Sequence, residues 1–240
     1  MRLAVLADIH SNFHALEAVL AAADEQGADA ILCVGDIIGY AANPRECLQL
    51  IRERAVRVVG GNHDFGAVGR MDLSYFNSDA RDAVEWTKGC LSEEEMEYLA
   101  GLPLTAEFED FLVVHSTPYL PEQFAYIQTT FDAELAFHEL ERHVALVGHS
   151  HVPVVFVNTE SLDYFQMETF DIPADRKMII NVGSVGQPRD LDPRAAFATI
   201  DTATGKAVLH RVDYDVDAAV TAILDAGLPK MNAYRLLRGR

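Results

Sequence analysis

The chain has 240 residues, half of them hydrophobic, with three cysteines and a net charge of −18 at pH 7. Such a composition supports an ordinary buried core and argues against disorder. The acidic surplus excludes a basic surface that would grip a nucleic-acid duplex or an anionic membrane, but not a small anionic substrate, because bound divalent cations reverse the local field. Strand-like and helix-like runs alternate in the first third. "RLAVLA" (2–7) and "AILCVG" (30–35) are short apolar runs of the kind buried on both faces of a parallel sheet. Between them, "NFHALEAVLAAADEQ" (12–26) places Phe13, Leu16, Val19 and Leu20 on one helical stripe behind a capping Asn12. "NPRECLQLIRER" (43–54) has Asn43 at the N-cap and Pro44 at the first helical position, and "AVRVVG" (55–60) reads as a third strand. This β-α-β-α-β order implies parallel strands joined by right-handed crossovers.

Residues 66–101 read as helical, with Ser92 and Glu95 forming a capping box and Val84, Trp86 and Leu91 packing the layer down. "LTAEFED" and "FLVVHS" then predict a hairpin ending at His115, and "FDAELAFHELERH" (131–143) predicts a helix leading into "VALVGHSH". Five strand-like runs follow: "VPVVFVN", "LDYFQME", "KMIINVG", "AAFATID" and "KAVLHRV", the last two joined by the turn "DTATG". Two short helices broken near Gly227-Leu228-Pro229 close the chain. With no internal repeat or linker composition, residues 1–240 are expected to form a single domain. Cys33, Cys47 and Cys90 lack paired metal spacing and read as free thiols in a reducing cytosol. "MRLAVLADIHS" is too short an apolar run for a signal peptide, and no uninterrupted apolar run of 18 residues predicts a membrane span. The expected location is cytoplasmic.

The polar residues gather at the strand ends. The first strand ends in Asp8-Ile9-His10, the second in Gly35-Asp36, the third in Gly60-Gly61-Asn62-His63-Asp64; the hairpin delivers His115, and "LVGHSHVP" delivers His149 and His151. Carboxyl ends of parallel strands share one edge, where α/β folds bind ligands. An aspartate after a strand is commonplace, and two histidines in a turn can be a surface accident; the conjunction of five segments is what carries the signal. Two carboxylates, four imidazoles and one amide oxygen exceed a single tetrahedral zinc site. Mixed nitrogen and oxygen donors suit first-row ions. Two ions about 3.5–4 Å apart require a bridging carboxylate, and Asp36, central in the order, is the expected bridge.

The ordered set D-x-H, G-D, G-N-H-D, a lone H and G-H-x-H, spread over residues 1–190, resembles the calcineurin-like metallophosphoesterase superfamily. "GDIIGYAANP" (35–44) and "NVGSVGQPRDLDPRAA" (181–196) resemble its small bacterial and archaeal phosphodiesterase-type members. The resemblance implies an α/β fold, a four-layer αββα sandwich of two mixed sheets flanked by helices. It also implies two divalent or trivalent transition-metal ions, manganese first, with iron, zinc, nickel or cobalt as alternatives. Asp8, His10 and His151 with Asp36 would hold one ion, and Asp36, Asn62, His115 and His149 the other. His63 would face the substrate and protonate the leaving group or stabilise the transition state, with Asp64 orienting it and raising its pKa, a role compatible with helix capping.

The implied function is hydrolysis of phosphodiester bonds in small substrates, nucleotide-like or dinucleoside polyphosphate, by in-line attack of a metal-bridging hydroxide. A phosphomonoesterase on the same core is the alternative. A non-catalytic scaffold is a third reading, but retromer-subunit relatives of that kind have lost ligands that this chain retains. Three further residues have open roles: Asn12 (helix cap or substrate contact), Ser116 (turn or substrate contact, where many relatives have glycine) and Arg189 (phosphate contact or ion pair). His14, His138, His143 and His210 lie outside every motif and read as structural or surface residues. The expected partner is a small phosphorylated substrate rather than duplex nucleic acid or membrane, and a homodimer is the commonest assembly for such a chain.

Overall fold

Strand β1 (Arg2–Leu6) shows how the layers arise. Leu3 and Val5 point into one apolar cluster while Ala4 and Leu6 point into another, because side chains alternate across a strand and this one is covered on both faces. The computed structural model describes residues 1–160 and 162–240. After β1 come α1 (Phe13–Glu25), β2 (Ala30–Cys33), α2 (Pro44–Arg54), β3 (Ala55–Val58), α3 (Asn62–Ala67), α4 (Ser78–Cys90) and α5 (Glu93–Ala100). The second part runs β4 (Thr105–Phe108), β5 (Phe111–Val114), α6 (Thr130–Glu139), β6 (Val144–Val147), β7 (Val154–Val157), β8 (Asp163–Gln166), β9 (Thr169–Asp171) and β10 (Met178–Asn181). Strands β11 (Ala195–Asp201) and β12 (Lys206–Val212) and helices α7 (Val216–Asp225) and α8 (Lys230–Leu236) complete the chain.

Two six-stranded sheets form, ordered β3-β2-β1-β11-β12-β9 and β4-β5-β6-β10-β7-β8. Strands β1, β2 and β3 are parallel, and β11 closes antiparallel on β1 with Val5 opposite Ala198. In the second sheet β5, β6 and β10 are parallel. Leu3, Val5, Leu32 and Val34 meet Val113, Leu146, Val155 and Ile180 between the sheets. Outside the first sheet, Leu6 and Ile31 pack on Leu16, Val19, Leu48 and Ile51 of α1 and α2; outside the second, Ala145 and Ile179 pack on Ala133, Ala136 and Phe137 of α6. The molecule is thus the αββα sandwich of two mixed sheets. Each fully buried aliphatic side chain in these layers contributes about 1.5–3 kcal/mol.

Several local expectations need correction. The helical stretch 66–101 is interrupted: 68–77 is irregular apart from a 3-10 turn at Leu73–Tyr75. The G-N-H-D run does not prolong β3. It opens α3, with Gly61 at the N-cap. Asn43 stands at the N-cap of α2, but its side chain makes no capping bond, and its N–H is tied to Ser11 O at 3.0 Å. The three-residue edge strand β9 gave too short a pattern to read. Trp86 packs against the C-terminal helices α7 and α8. Among the described residues, no helix is long and apolar enough to cross a membrane.

Candidate metal centre

Three imidazoles are oriented by backbone carbonyls. The Nδ1–H groups of His10, His115 and His151 donate to Ile38 O (3.1 Å), Val34 O (2.8 Å) and Gln187 O (2.6 Å). A carbonyl only accepts, so each ring keeps a proton on Nδ1 and turns its Nε2 inward, bare in His10 and His151. His10 Nε2 and His151 Nε2 then face each other at 3.1 Å, lone pair to lone pair. His115 Nε2 similarly lies 3.2 Å from both His149 Nδ1 and Asn62 Oδ1. Donor atoms that share an ion at about 2.0–2.2 Å lie roughly 3.0–3.5 Å apart. These spacings fit converging ligands, and the His10–His151 pair is unfavourable without a cation.

Asp36 lies between the two groups. Its Oδ2 is 3.6 Å from His10 Nε2 and 3.3 Å from His115 Nε2, while Oδ1 accepts the His63 backbone N–H at 2.9 Å. Asp8 Oδ1 is 3.4 Å from His151 Nε2 and is buried with no hydrogen-bond partner, whereas Oδ2 accepts the His149 N–H at 2.9 Å. The clusters Asp8–His10–His151 and Asp36–His115–His149 each bring their donor atoms within 4.8 Å, and His10–Asp36–His63 does so too. An orphaned carboxylate oxygen and opposed lone pairs, on a donor set of oxygen and nitrogen, fit a pair of first-row ions. All seven expected ligands converge here.

The backbone is strained to achieve this. Asp8, His10, Asp36, His149 and His151 all have φ between 50° and 66°, each costing of order 1–3 kcal/mol in a non-glycine residue. Asp8 N–H to Gly35 O, His10 N–H to Asp36 O and Ser11 N–H to Ile37 O lace the first two loops together and hold that conformation. Close approach also demands glycine: a Cβ on Gly61 would stand 2.0 Å from Asp36 Oδ1, and one on Gly148 2.6 Å from Asp8 Oδ2.

Burial drives the pKa of His149 down to about 3 and that of His63 to about 4, and holds His10 and His151 well below 6.5. Burial also works to lower His115, but Asp36 and Asp8 outweigh it and raise this imidazole to about 9. His115 then supplies positive charge between the carboxylates, and loading with metal must expel its proton. Burial, with Asp36 adding to it, raises Asp8 and Asp64 to about 7 each. The sign for stability follows. Below pH 6.5 the unfolded chain protonates four imidazoles that the folded protein keeps neutral, while Asp8 and Asp64, protonated in the folded state, offset two of them. Stability of the metal-free protein should therefore fall as pH drops from about 6 to 5. Urea denaturation across that window checks this; unchanged or rising stability would reject the buried neutral cluster.

His63 lies at the rim, 3% exposed, its ring 4.7 Å from that of His10 and 5.0 Å from that of Phe76, with Nδ1 unpartnered. The expectation that Asp64 orients it is not met in this geometry. Asp64 Oδ1 accepts from Ile37 and Ile38 N–H and Oδ2 from Gly61 N–H, so both oxygens are taken up by backbone, and Asp64 ties α3 to the β2 loop. Nor is His63 raised; burial outweighs Asp36. Asn12 accepts from Ala15 N–H and donates to Gly186 O and Tyr214 Oη, which engages both ends of its amide. Ser116 Oγ is buried without a partner. Arg189 reaches Tyr40 Oη and Gln187 Oε1.

Supporting residues Asn181, Ser184 and Gln187 fall in the family-like stretch 181–196, but nothing in it assigned them a role. Ser184 Oγ–H donates to Asp8 O and accepts from Gln187 N–H, and Asn181 Nδ2–H donates to Gly148 O, so the 181–187 loop braces the β1 and β6 ends. Tyr126 stacks on His149 at 4.1 Å. A cleft of about 640 Å³ opens beside the centre, lined by Tyr40, Asn62, His63, Phe76, Tyr126 and His149 among others.

Residues 1–205 match the family described as the calcineurin-like phosphoesterase superfamily domain. A protein of Methanocaldococcus jannaschii is 38% identical over 244 positions, covering 99% of this chain and 98% of that protein. The crystal structure of a metallophosphoesterase from Sphaerobacter thermophilus superposes with a TM-score of 0.88 at 37% identity, over 100% of this chain and 99% of that one. A Pyrococcus horikoshii protein shares the fold (TM-score 0.80, 22% identity, 100% and 98% covered). A family match over most of the chain, relatives alike from end to end, and an Asp/His cluster built to hold metal lead to one conclusion: the chain belongs to the calcineurin-like phosphoesterase superfamily.

Proposed function

We propose that the protein is a dimetal phosphodiesterase acting on small, nucleotide-like substrates, with Asp36 bridging the ions and His63 protonating the leaving group. The observation that carries this reading is Asp36 Oδ2, flanked on either side by the inward-facing Nε2 atoms of His10 and His115. Bound ions would supply an activated water nucleophile and neutralise charge on the phosphoryl oxygens. The protein's part is placement. Asp8, His10 and His151 define one donor set and Asn62, His115 and His149 the other; backbone carbonyls hold His10, His115 and His151 from behind, and the Tyr126 ring stacks on His149. His63 lines the cleft, where an incoming phosphoryl anion opposes the effect of burial and favours the protonated ring.

The aromatic walls of the cleft favour a flat ring on the esterified group. Tyr40, Phe76 and Tyr126 offer faces and edges for stacking, and about 640 Å³ suits a nucleotide-sized molecule. The test is hydrolysis by the manganese-loaded protein of bis(p-nitrophenyl) phosphate, p-nitrophenyl phosphate, cyclic nucleotides and a dinucleoside polyphosphate. Higher kcat/KM on diesters, abolished by chelator and restored by metal, is the expected result. Preference for the monoester would favour the phosphatase alternative, and no turnover of any ester would reject both.

A further inference from the structure

In so acidic a chain, arginines such as Arg45, Arg54, Arg194 and Arg211 pair with carboxylates. Two arginines beside the centre do not. Arg189, after β10, and Arg235, in α8, converge on one amide oxygen: Arg189 Nη2–H donates to Gln187 Oε1 at 2.8 Å and Arg235 Nη1–H to the same atom at 3.3 Å. Arg189 Nη2 also lies 3.4 Å from Tyr40 Oη, and its Nε is buried with no partner. Among the described residues neither guanidinium makes an ion pair; Asp79 acts on Arg235 only through the field. A neutral oxygen holding two cations leaves their repulsion uncompensated. An anion between them would relieve it.

The two lie in sequence outward from the centre. Arg189 N–H donates to His151 O at 3.3 Å, and the Arg189 charge is felt by Asp8, His10, His63 and His151. Arg235 is reached through Tyr40, whose ring stands 4.7 Å from that of His10 and 4.5 Å from that of His63. We propose that Arg189 and Arg235 form an anion subsite for a second, non-scissile phosphoryl group, so that the preferred substrates carry two linked phosphoryl groups. This rests on the phosphoesterase reading above. The planar forks of two guanidiniums match phosphoryl oxygens. Arg235 lies beyond residues 1–205, so the subsite is supplied by the C-terminal helix, which is fixed in place by buried Asn232, whose Nδ2–H donates to Tyr40 O at 3.4 Å.

The test compares two non-hydrolysable probes by calorimetry on the metal-loaded protein: methylphosphonate, with one anionic group, and methylenediphosphonate, with two. Arg235→Ala should weaken the diphosphonate by roughly tenfold or more and methylphosphonate by less than twofold. Arg235→Lys, which keeps charge without the fork, should fall between wild type and Arg235→Ala for the diphosphonate. Chelation of the ions by the diphosphonate is common to all three forms and cancels in the comparison. Unchanged diphosphonate affinity in a folded Arg235→Ala protein, or an equal loss for both probes, would overturn the subsite. Wild-type protein that hydrolyses no phosphate ester would instead overturn the functional reading on which it rests.

Discussion

Asp36→Asn should empty both metal positions and lower kcat/KM by about 10³-fold or more, the scale on which loss of transition-state charge stabilisation is felt. The geometry dictates the direction. Asp36 Oδ1 accepts the His63 N–H, so an asparagine keeps its oxygen there and turns its NH2 to the place of Oδ2. That amide then points hydrogens toward the positions flanked by His10 Nε2 and His115 Nε2, where cations belong. Loss of the carboxylate charge also lets the like charges of two neighbouring ions repel unchecked. Metal analysis by mass spectrometry, alongside rates, separates the possibilities. Two full equivalents in an active variant would remove Asp36 from the bridge.

His63→Ala should retain both metals but lose roughly 10²–10⁴-fold in rate, the usual span for general acid catalysis. The loss should depend on the leaving group. A nitrophenolate departs with little protonation, so its ester should suffer least; a ribose alkoxide needs the proton, so a nucleotide diester should suffer most. Any electrostatic hold of His63 on the phosphoryl group is removed equally for both. Equal losses on the two substrates, with metals intact and chemistry rate-limiting, would sink the general-acid role. Because the His63 ring lies close to His10 and Asp36, the metal content must be measured in the same sample. A lost ion would make His63 a ligand instead.

The sequence carried the ligands because each sits where a strand meets a loop, and the β-α-β periodicity shows where strands end. Asp8, His10 and Asp36 could be placed on one edge from that rule alone, and the second sheet's histidines from the hairpin and the G-H-x-H turn. What pointed the rings was not readable: the partners of His10, His115 and His151 are carbonyl oxygens of Ile38, Val34 and Gln187, and every residue has a carbonyl. Asp64 misled for a related reason. A carboxylate beside a histidine suggests a pair, but Asp64 accepts from the N-cap Gly61 and, across the fold, from Ile37 and Ile38 in the loop after β2, which takes up both its oxygens. The interruption of the 66–101 region was hidden because residues such as Met71, Leu73 and Phe76 keep apolar spacing while packing from a loop. Arg235 was invisible because only the tertiary fold brings α8 back to the 187–189 loop.

Each candidate donor set draws on both sheets. Asp8, His10, Asp36 and Asn62 follow strands of one sheet, while His115, His149 and His151 follow strands of the other, and neither donor set is complete on one side. During synthesis, neither donor set is complete until residue 149 has emerged, nor both until residue 151, and the sheets must then dock, so a shorter partial chain exposes no finished hydrolytic site. The same division sets when metal can act on folding. Contacts so distant in sequence form late, and stabilisation gained after the rate-limiting barrier appears in the unfolding rate rather than the folding rate. Bound ions would thus work as rivets driven through two finished plates: they do little to bring the halves together, and much to keep them from coming apart.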